Sequence, residues 1–211
     1  TNELISVKEG DNLKELILDK KPTIKFSQIS TAKRKINRLG IEFTFLSPNP
    51  EIIQELYKCW KSLSSSNKSK LKKNIASSQA AYKHSLKVLS KTSFSPNTNI
   101  SNDIFNASSI SFLLKCPDIS LLLLADSRPE IISKSLRILG FDEEKPLVVD
   151  YVKVSHHGSS NNTSQELLNL ISSNKYLIST NGGSANHKHP SRETIARIVY
   201  NSNRSKEKIK I

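Results

Sequence analysis

The sequence predicts an α/β fold, a mixed sheet flanked by helices. Three observations predict it. Strand-like apolar runs alternate with amphipathic helical segments after Asn106, the pattern of layered α/β domains. Two of those runs end abruptly in chemically active side chains, Asp126 after one and His156-His157 after the other. The chain, at 211 residues, is long enough to bury a real core.

Residues 1–30 have mixed polarity, and two short strands are expected around Leu4–Val7 and Thr23–Phe26. Ile41–Leu46 alternates, is rich in β-formers and stops at Ser47-Pro48-Asn49-Pro50, so it reads as a half-buried strand and turn. Ile52, Ile53, Leu56, Tyr57 and Trp60 then recur at helical spacing, predicting a helix over Glu51–Trp60. From Lys58 to Lys91 nine lysines occur, and no Asp or Glu stands between Glu55 and Asp103. Leu71–Leu89 could form a basic helix there, and Ser95–Asn99 is a loop by composition. The segment 61–103 is expected to be an exposed lysine- and serine-rich insertion, either simply solvated or an arm that touches a polyanion.

Beyond it, Ser109–Lys115 and Ile119–Ala125 read as a hairpin joined by Cys116-Pro117-Asp118. Pro129–Leu139 is an amphipathic helix stopped by Gly140, and Leu147–Val154 a buried strand. Thr163-Ser164-Gln165-Glu166 has the form of a capping box that opens the next helix. Tyr176–Thr180 is a short strand, and Pro190–Tyr200 a last helix with proline in its first turn.

No apolar run approaches the ~20 residues that cross a bilayer, and no signal peptide opens the chain. The two cysteines, Cys59 and Cys116, make no disulfide framework and no metal-ligand pair, as in a reducing, cytoplasmic setting. The net charge of +13 favours a polyanionic partner, although abundant Lys, Asn, Ile and Ser is also how AT-rich coding sequence reads. The chain begins at Thr1 and contains no methionine, so a processed or truncated piece is expected.

Four of the five histidines lie between 156 and 189. A divalent metal that activates water wants imidazole nitrogens and carboxylate oxygens held rigidly, and strand ends supply rigidity. Asp126 ends one strand and His156-His157 another, with Gly158 letting the backbone turn closely. His187 and His189 follow Asn181-Gly182-Gly183 after a third, and His189 precedes a helix start that would favour an anion. His84 has no ligand-type neighbour and reads as solvated.

Asn106-Ala107-Ser108-Ser109-Ile110, the leucine run ending in Asp126, the stretch Val152–Ser159 and His189-Pro190 resemble the second half of the metallo-β-lactamase superfamily in order and spacing. The nearest branch is that of the DNA-uptake competence proteins (ComEC-like) and related bacterial hydrolases. The resemblance covers about 41–200 and is most specific over 104–192. It implies a four-layer αββα sandwich holding one or two zinc or manganese ions. Asp126 would be the metal-bridging carboxylate, and one of His156 and His157 a terminal ligand; His157 is favoured because it directly precedes the glycine. His189 would be a further metal-site residue close to the scissile group, with a catalytic role alongside Asp126. Asn106 and Ser108 would brace the adjacent strand. Residues 1–60 would then be the middle part of such a domain, 61–103 an insertion, and 104–211 the C-terminal half.

The family usually has Gly-Asp where this chain has Ala125-Asp126. A larger departure lies upstream, because no histidine precedes His84 and the defining His-x-His-x-Asp-His motif is absent. Two expectations follow. The chain is the C-terminal portion of a phosphodiester hydrolase acting on nucleic acid, inactive alone. Alternatively it is a degenerate, non-catalytic module that binds nucleic acid or a partner protein. Lys68, Lys70, Lys72 and Lys73 would supply nucleic-acid contacts, and the missing N-terminal half or a partner protein would complete the fold.

Overall fold

The computed structural model describes residues 2–64, 83–181, 189–201 and 208–211. In chain order its elements are α1 (Asn2–Lys20), β1 (Lys35–Arg38), β2 (Ile41–Ser47), α2 (Pro50–Ser64), α3 (Leu86–Leu89) and α4 (Ile104–Ala107). There follow β3 (Ser111–Lys115), β4 (Ser120–Leu123), α5 (Pro129–Ile138), β5 (Leu147–Val148) and β6 (Tyr151–Lys153). The chain then runs through α6 (Gln165–Asn169), β7 (Ile171–Ser172), β8 (Tyr176–Leu177) and α7 (Arg192–Val199). The fold is α/β. A mixed six-stranded sheet has the order β1-β2-β3-β4-β6-β8, and β5 pairs with β7 in a separate two-stranded ladder. The first four strands pair antiparallel, whereas β4, β6 and β8 are parallel neighbours.

Helices cover one face of this sheet. Leu113, Leu122, Val152 and Tyr176 stand in one register row across four strands. They join Ile132 and Leu136 of α5, Leu167 and Leu168 of α6 and Ile198 of α7 in the main apolar cluster. Full burial of a leucine such as Leu122 is worth about 1.5–3 kcal/mol in transfer terms. The α5 helix ends as its sequence requires: Gly140 takes φ 87°, its N–H donates to Arg137 O, and Phe141 N–H donates to Leu136 O, a Schellman pair.

The opposite face is also apolar. Phe43, Leu114, Leu121 and Tyr151 form one register row, and Phe45, Phe112, Leu123, Lys153 and Leu177 the next. Phe45 is buried, Leu177 is 47 % exposed and the rest are half-buried; the apolar clusters beneath the helices include none of them. This explains the run of four leucines at 121–124. Leu122 and Leu124 point to the helices while Leu121 and Leu123 point the other way, so the strand is apolar on both sides.

Several expectations are corrected. Leu4–Val7 lies inside α1, because Leu, Glu and Lys dominate 2–20 and favour a helix, which a four-residue apolar run cannot distinguish from a strand. Thr23–Phe26 pairs with nothing among the described strands, and Ile24 and Phe26 are exposed, since β-propensity without a partner makes no ladder. Strand β1, with only Ile36 apolar, had no sequence signal; it is recruited by a two-residue turn whose Leu39 and Gly40 both have positive φ, 51° and 80°. The single strand expected over Leu147–Val154 is two, broken where the Asp150 carboxylate accepts from Ser120 N–H and Oγ at 2.8 and 2.7 Å.

The capping box is displaced. Ser164, not Thr163, caps α6 by accepting from Leu167 N–H, and Glu166 turns to Arg137. Helix α7 begins at Arg192 with Ser191 as N-cap, leaving Pro190 outside it. Of the proposed insertion, 61–64 form the end of α2 and 83–103 are described as well. There α3 packs on α7 through Leu89 and Ala196, so this part is docked rather than free, while Lys83, Lys87 and Lys91 are exposed.

No helix of the described residues is long and apolar enough to cross a membrane. Cys59 and Cys116 are half-buried, and neither is in a disulfide.

Candidate functional site

Parallel strands leave a sheet by the same edge, and in open α/β sheets that carboxyl edge is where ligands bind. Here β4, β6 and β8 are adjacent, so their exits converge: Ala125-Asp126 after β4, His156–Gly158 after β6, and Ile178–Asn181 after β8. His156 N–H donates to Ala125 O at 2.9 Å, tying the first two exits together. Thr180 Oγ1 donates to His189 O at 2.7 Å, tying the third exit to the segment before α7. Ser191 N–H donates to Gly158 O at 3.0 Å and closes the ring of contacts.

Three imidazoles are thereby assembled. The His156 ring centroid lies 6.0 Å from that of His157 and 5.8 Å from that of His189, edge-on in both cases. His189 is buried, His156 half-buried and His157 exposed. His157 Nδ1 sits 2.6 Å from Ser179 O. A carbonyl only accepts, so Nδ1 carries the proton and Nε2 is left as the atom that could bind a metal, the usual second-sphere arrangement of a ligating histidine.

The half-buried Asp126 occupies the turn beside them, its backbone carbonyl held by Asn162 Nδ2 at 3.1 Å. His187, Lys68, Lys70, Lys72 and Lys73 lie outside the described residues. His84 is exposed and remote in role, its carbonyl accepting from Arg192. Asn106 Nδ2 donates to Asp103 Oδ1 and Ser108 Oγ to Phe105 O, both within their own turn.

The backbone at this edge is unusual. Among the described residues, the non-glycine positions with positive φ are Leu39, Ala125, His156 and His157, at 51°, 47°, 44° and 54°. Three of the four stand at the converging strand ends. Left-handed non-glycine residues cost on the order of 1–3 kcal/mol each and gather where function needs the geometry. Ala125 occupies such a position, which accounts physically for a glycine preference there. Gly158 is doubly required, with φ 84° and a Cβ that would stand 2.7 Å from Pro190 Cβ.

Beneath the edge runs a buried hydroxyl and amide layer that sequence reasoning missed. Ser127 Oγ donates to Ser47 Oγ, Ser47 Oγ to Ala107 O, Ser111 Oγ to Leu124 O, and Ser155 Oγ to Ser127 O, all between 2.7 and 3.3 Å. Serines and asparagines are so common in this chain that these gave no signal. The one available clue was their place within a residue or two of strand ends.

The donor types suit a transition metal such as zinc, since neutral imidazole and carboxylate are its common ligands. The set is not closed: among the described residues, no group of three or more His, Cys, Asp or Glu is arranged to hold a metal ion. Comparison with family models, with curated proteins and with solved structures finds no match to the chain.

Proposed function

We propose that this chain is the C-terminal portion of a metal-dependent hydrolase of the metallo-β-lactamase fold, acting on phosphodiester bonds of nucleic acid. The observation that carries the reading is the convergence of His156, His157 and His189 beside Asp126 at the exits of three adjacent parallel strands. Asp126, His157 and His189, with His156 next to them, would hold part of a zinc or manganese site. The remaining ligands would come from outside the described residues, as the open donor set requires. When bound, such an ion supplies Lewis-acid polarisation and a nucleophile at neutral pH.

The chain's own residues have separate tasks. Ser179 O fixes the tautomer and orientation of His157. Thr180 holds the backbone of His189, whose imidazole would either join the ligand set or, left unligated, give a proton to a leaving oxygen or a hydrogen bond to a developing negative charge. The apolar face that lies outside the clusters formed by the described helices also supports the fragment reading. Parallel strands are ordinarily covered on both sides, and in an αββα sandwich a second sheet would cover Phe43, Phe112, Leu114, Leu121 and Leu123.

A nucleic-acid substrate is favoured by the net charge of +13 and by Lys58, Lys61, Lys83, Lys87 and Lys91, all exposed. The same lysines suit the second reading, a non-catalytic module that binds nucleic acid, and the open ligand set suits it too.

Phosphodiester hydrolysis assays with added zinc or manganese separate the two. The 211-residue chain alone should be inert. The full product of its gene should turn over and lose activity on Asp126→Ala or His157→Ala. A full-length product without turnover, yet with salt-sensitive nucleic-acid binding, would establish the module instead.

A further inference from the structure

We infer that Asn162 is the positioning residue that sets Asp126 against the histidines, with Arg197 of α7 as its support. The inference rests on the metal-site reading above and adds to it the device that holds the two ligand-bearing turns in register.

Asn162 belongs to the loop 159–164 that follows the His156–Gly158 turn, and it is 2 % exposed. Its side-chain amide donates to two successive carbonyls of the β4 exit, Asp126 O at 3.1 Å and Ser127 O at 3.2 Å. Its own N–H donates to Ser159 O at 3.1 Å, so it is fastened to the histidine turn while it grips the aspartate turn. Ser155 Oγ adds a second link from the β6 exit to Ser127 O.

Arg197 holds the loop from behind. Its Nη1 donates to Ser160 O at 3.0 Å and Thr163 O at 2.8 Å, the carbonyls on either side of Asn162. The guanidinium is 3 % exposed and stands 5.6 Å from the Phe94 ring. Among the described residues it makes no salt bridge within 4.0 Å, and Glu193, one turn earlier on α7, offsets only part of its burial. Burying a cation this way is costly, and a loop needing only to join β6 to α6 does not require it. A loop that must hold the Asp126 carbonyl fixed relative to His156 does.

The test compares two substitutions of similar structural cost. Asn162→Ala removes the bridging amide. Asn201→Ala removes another buried amide, which donates to Leu168 O at 2.8 Å away from the strand exits. Two readouts are taken on the 211-residue chain: amide hydrogen exchange at His156 relative to Leu122, and affinity for Co2+ by its visible spectrum.

Asn162→Ala should speed exchange at His156 about tenfold with Leu122 unchanged, and weaken Co2+ binding about 10–100-fold, the usual loss for an outer-sphere partner. Asn201→Ala should do neither. Equal effects of both variants, or wild-type exchange at His156 in Asn162→Ala, would overturn the inference. If wild type binds no Co2+, this chain's own ligands do not hold the ion without the rest of the site, and the exchange arm alone decides whether Asn162 positions the turns.

Discussion

From β1 to β4 neighbouring strands run antiparallel, β1–β2 and β3–β4 through short turns, whereas β4, β6 and β8 all leave the sheet by one edge. In the antiparallel part the turns are chemically plain. Leu39-Gly40 projects into solvent and carries no further contact, and Cys116–Ile119 closes its hairpin with a single backbone bond from Cys116 N–H to Ile119 O. In the parallel part each exit is crowded. Ala125, His156, His157 and Gly158 all take left-handed backbone conformations; Ala125 O accepts from His156 N–H, and Gly158 O from Ser191 N–H in the segment before α7. The two antiparallel hairpins bring sequence neighbours together through short turns. The parallel pairs bring together residues 30 apart in β4–β6 and 24 apart in β6–β8, so chemistry can be assembled at their common edge from separate segments.

The comparison can be broken first at the sheet's two faces. Leu122→Ala, on the helix-covered face, should cost about 2–5 kcal/mol in urea unfolding. Leu121→Ala, on the bare face, should cost far less. Equal costs would mean that the second face is covered after all.

The next test sets two left-handed glycines against each other. Gly40→Ala, with open space around its Cβ, should cost only the conformational term of about 1–2 kcal/mol. Gly158→Ala meets the same term plus the clash with Pro190, which adds about 1–3 kcal/mol of overpacking. If the two variants unfold at one urea concentration, the parallel edge is looser than its contacts imply.

Ala125→Gly should act in the other direction, raising stability by ~1 kcal/mol or less. It relieves the left-handed strain and gives part of that back as unfolded-state entropy. A loss of stability would show that Ala125 is held by packing rather than tolerated.

The smallest effect concerns pH. Hydrogen bonds from the Ser120 hydroxyl and backbone N–H hold the Asp150 carboxyl below its usual range. Because the folded value is depressed, its contribution is present above the ordinary carboxylate pKa of ~3.9 and is lost as pH falls through the folded value. Asp150→Asn should therefore flatten the acid limb of a stability–pH curve while leaving Leu39-Gly40 turn variants unchanged in slope.

The sequence by itself determined the elements whose signal is local. Alternation marked Ile41–Leu46, helical spacing marked α2 and α5, Gly140 stopped α5, and abrupt polar ends marked Asp126 and His156-His157 as candidates. Those signals are local because backbone geometry and one buried face act over a few residues. Tertiary structure decided the rest. Strand β1 exists only because β2 offers it a ladder, and the apolar run 147–154 divides because Ser120 of another strand captures Asp150. His189 reaches His156 through contacts from Thr180 and Gly158, and the buried serines, Asn162 and Arg197 acquire partners 13 to 80 residues away. A hydrogen bond across such distances leaves no periodicity in the chain, since it depends on which strand lies beside which, and strand order is settled only when the sheet closes on its core.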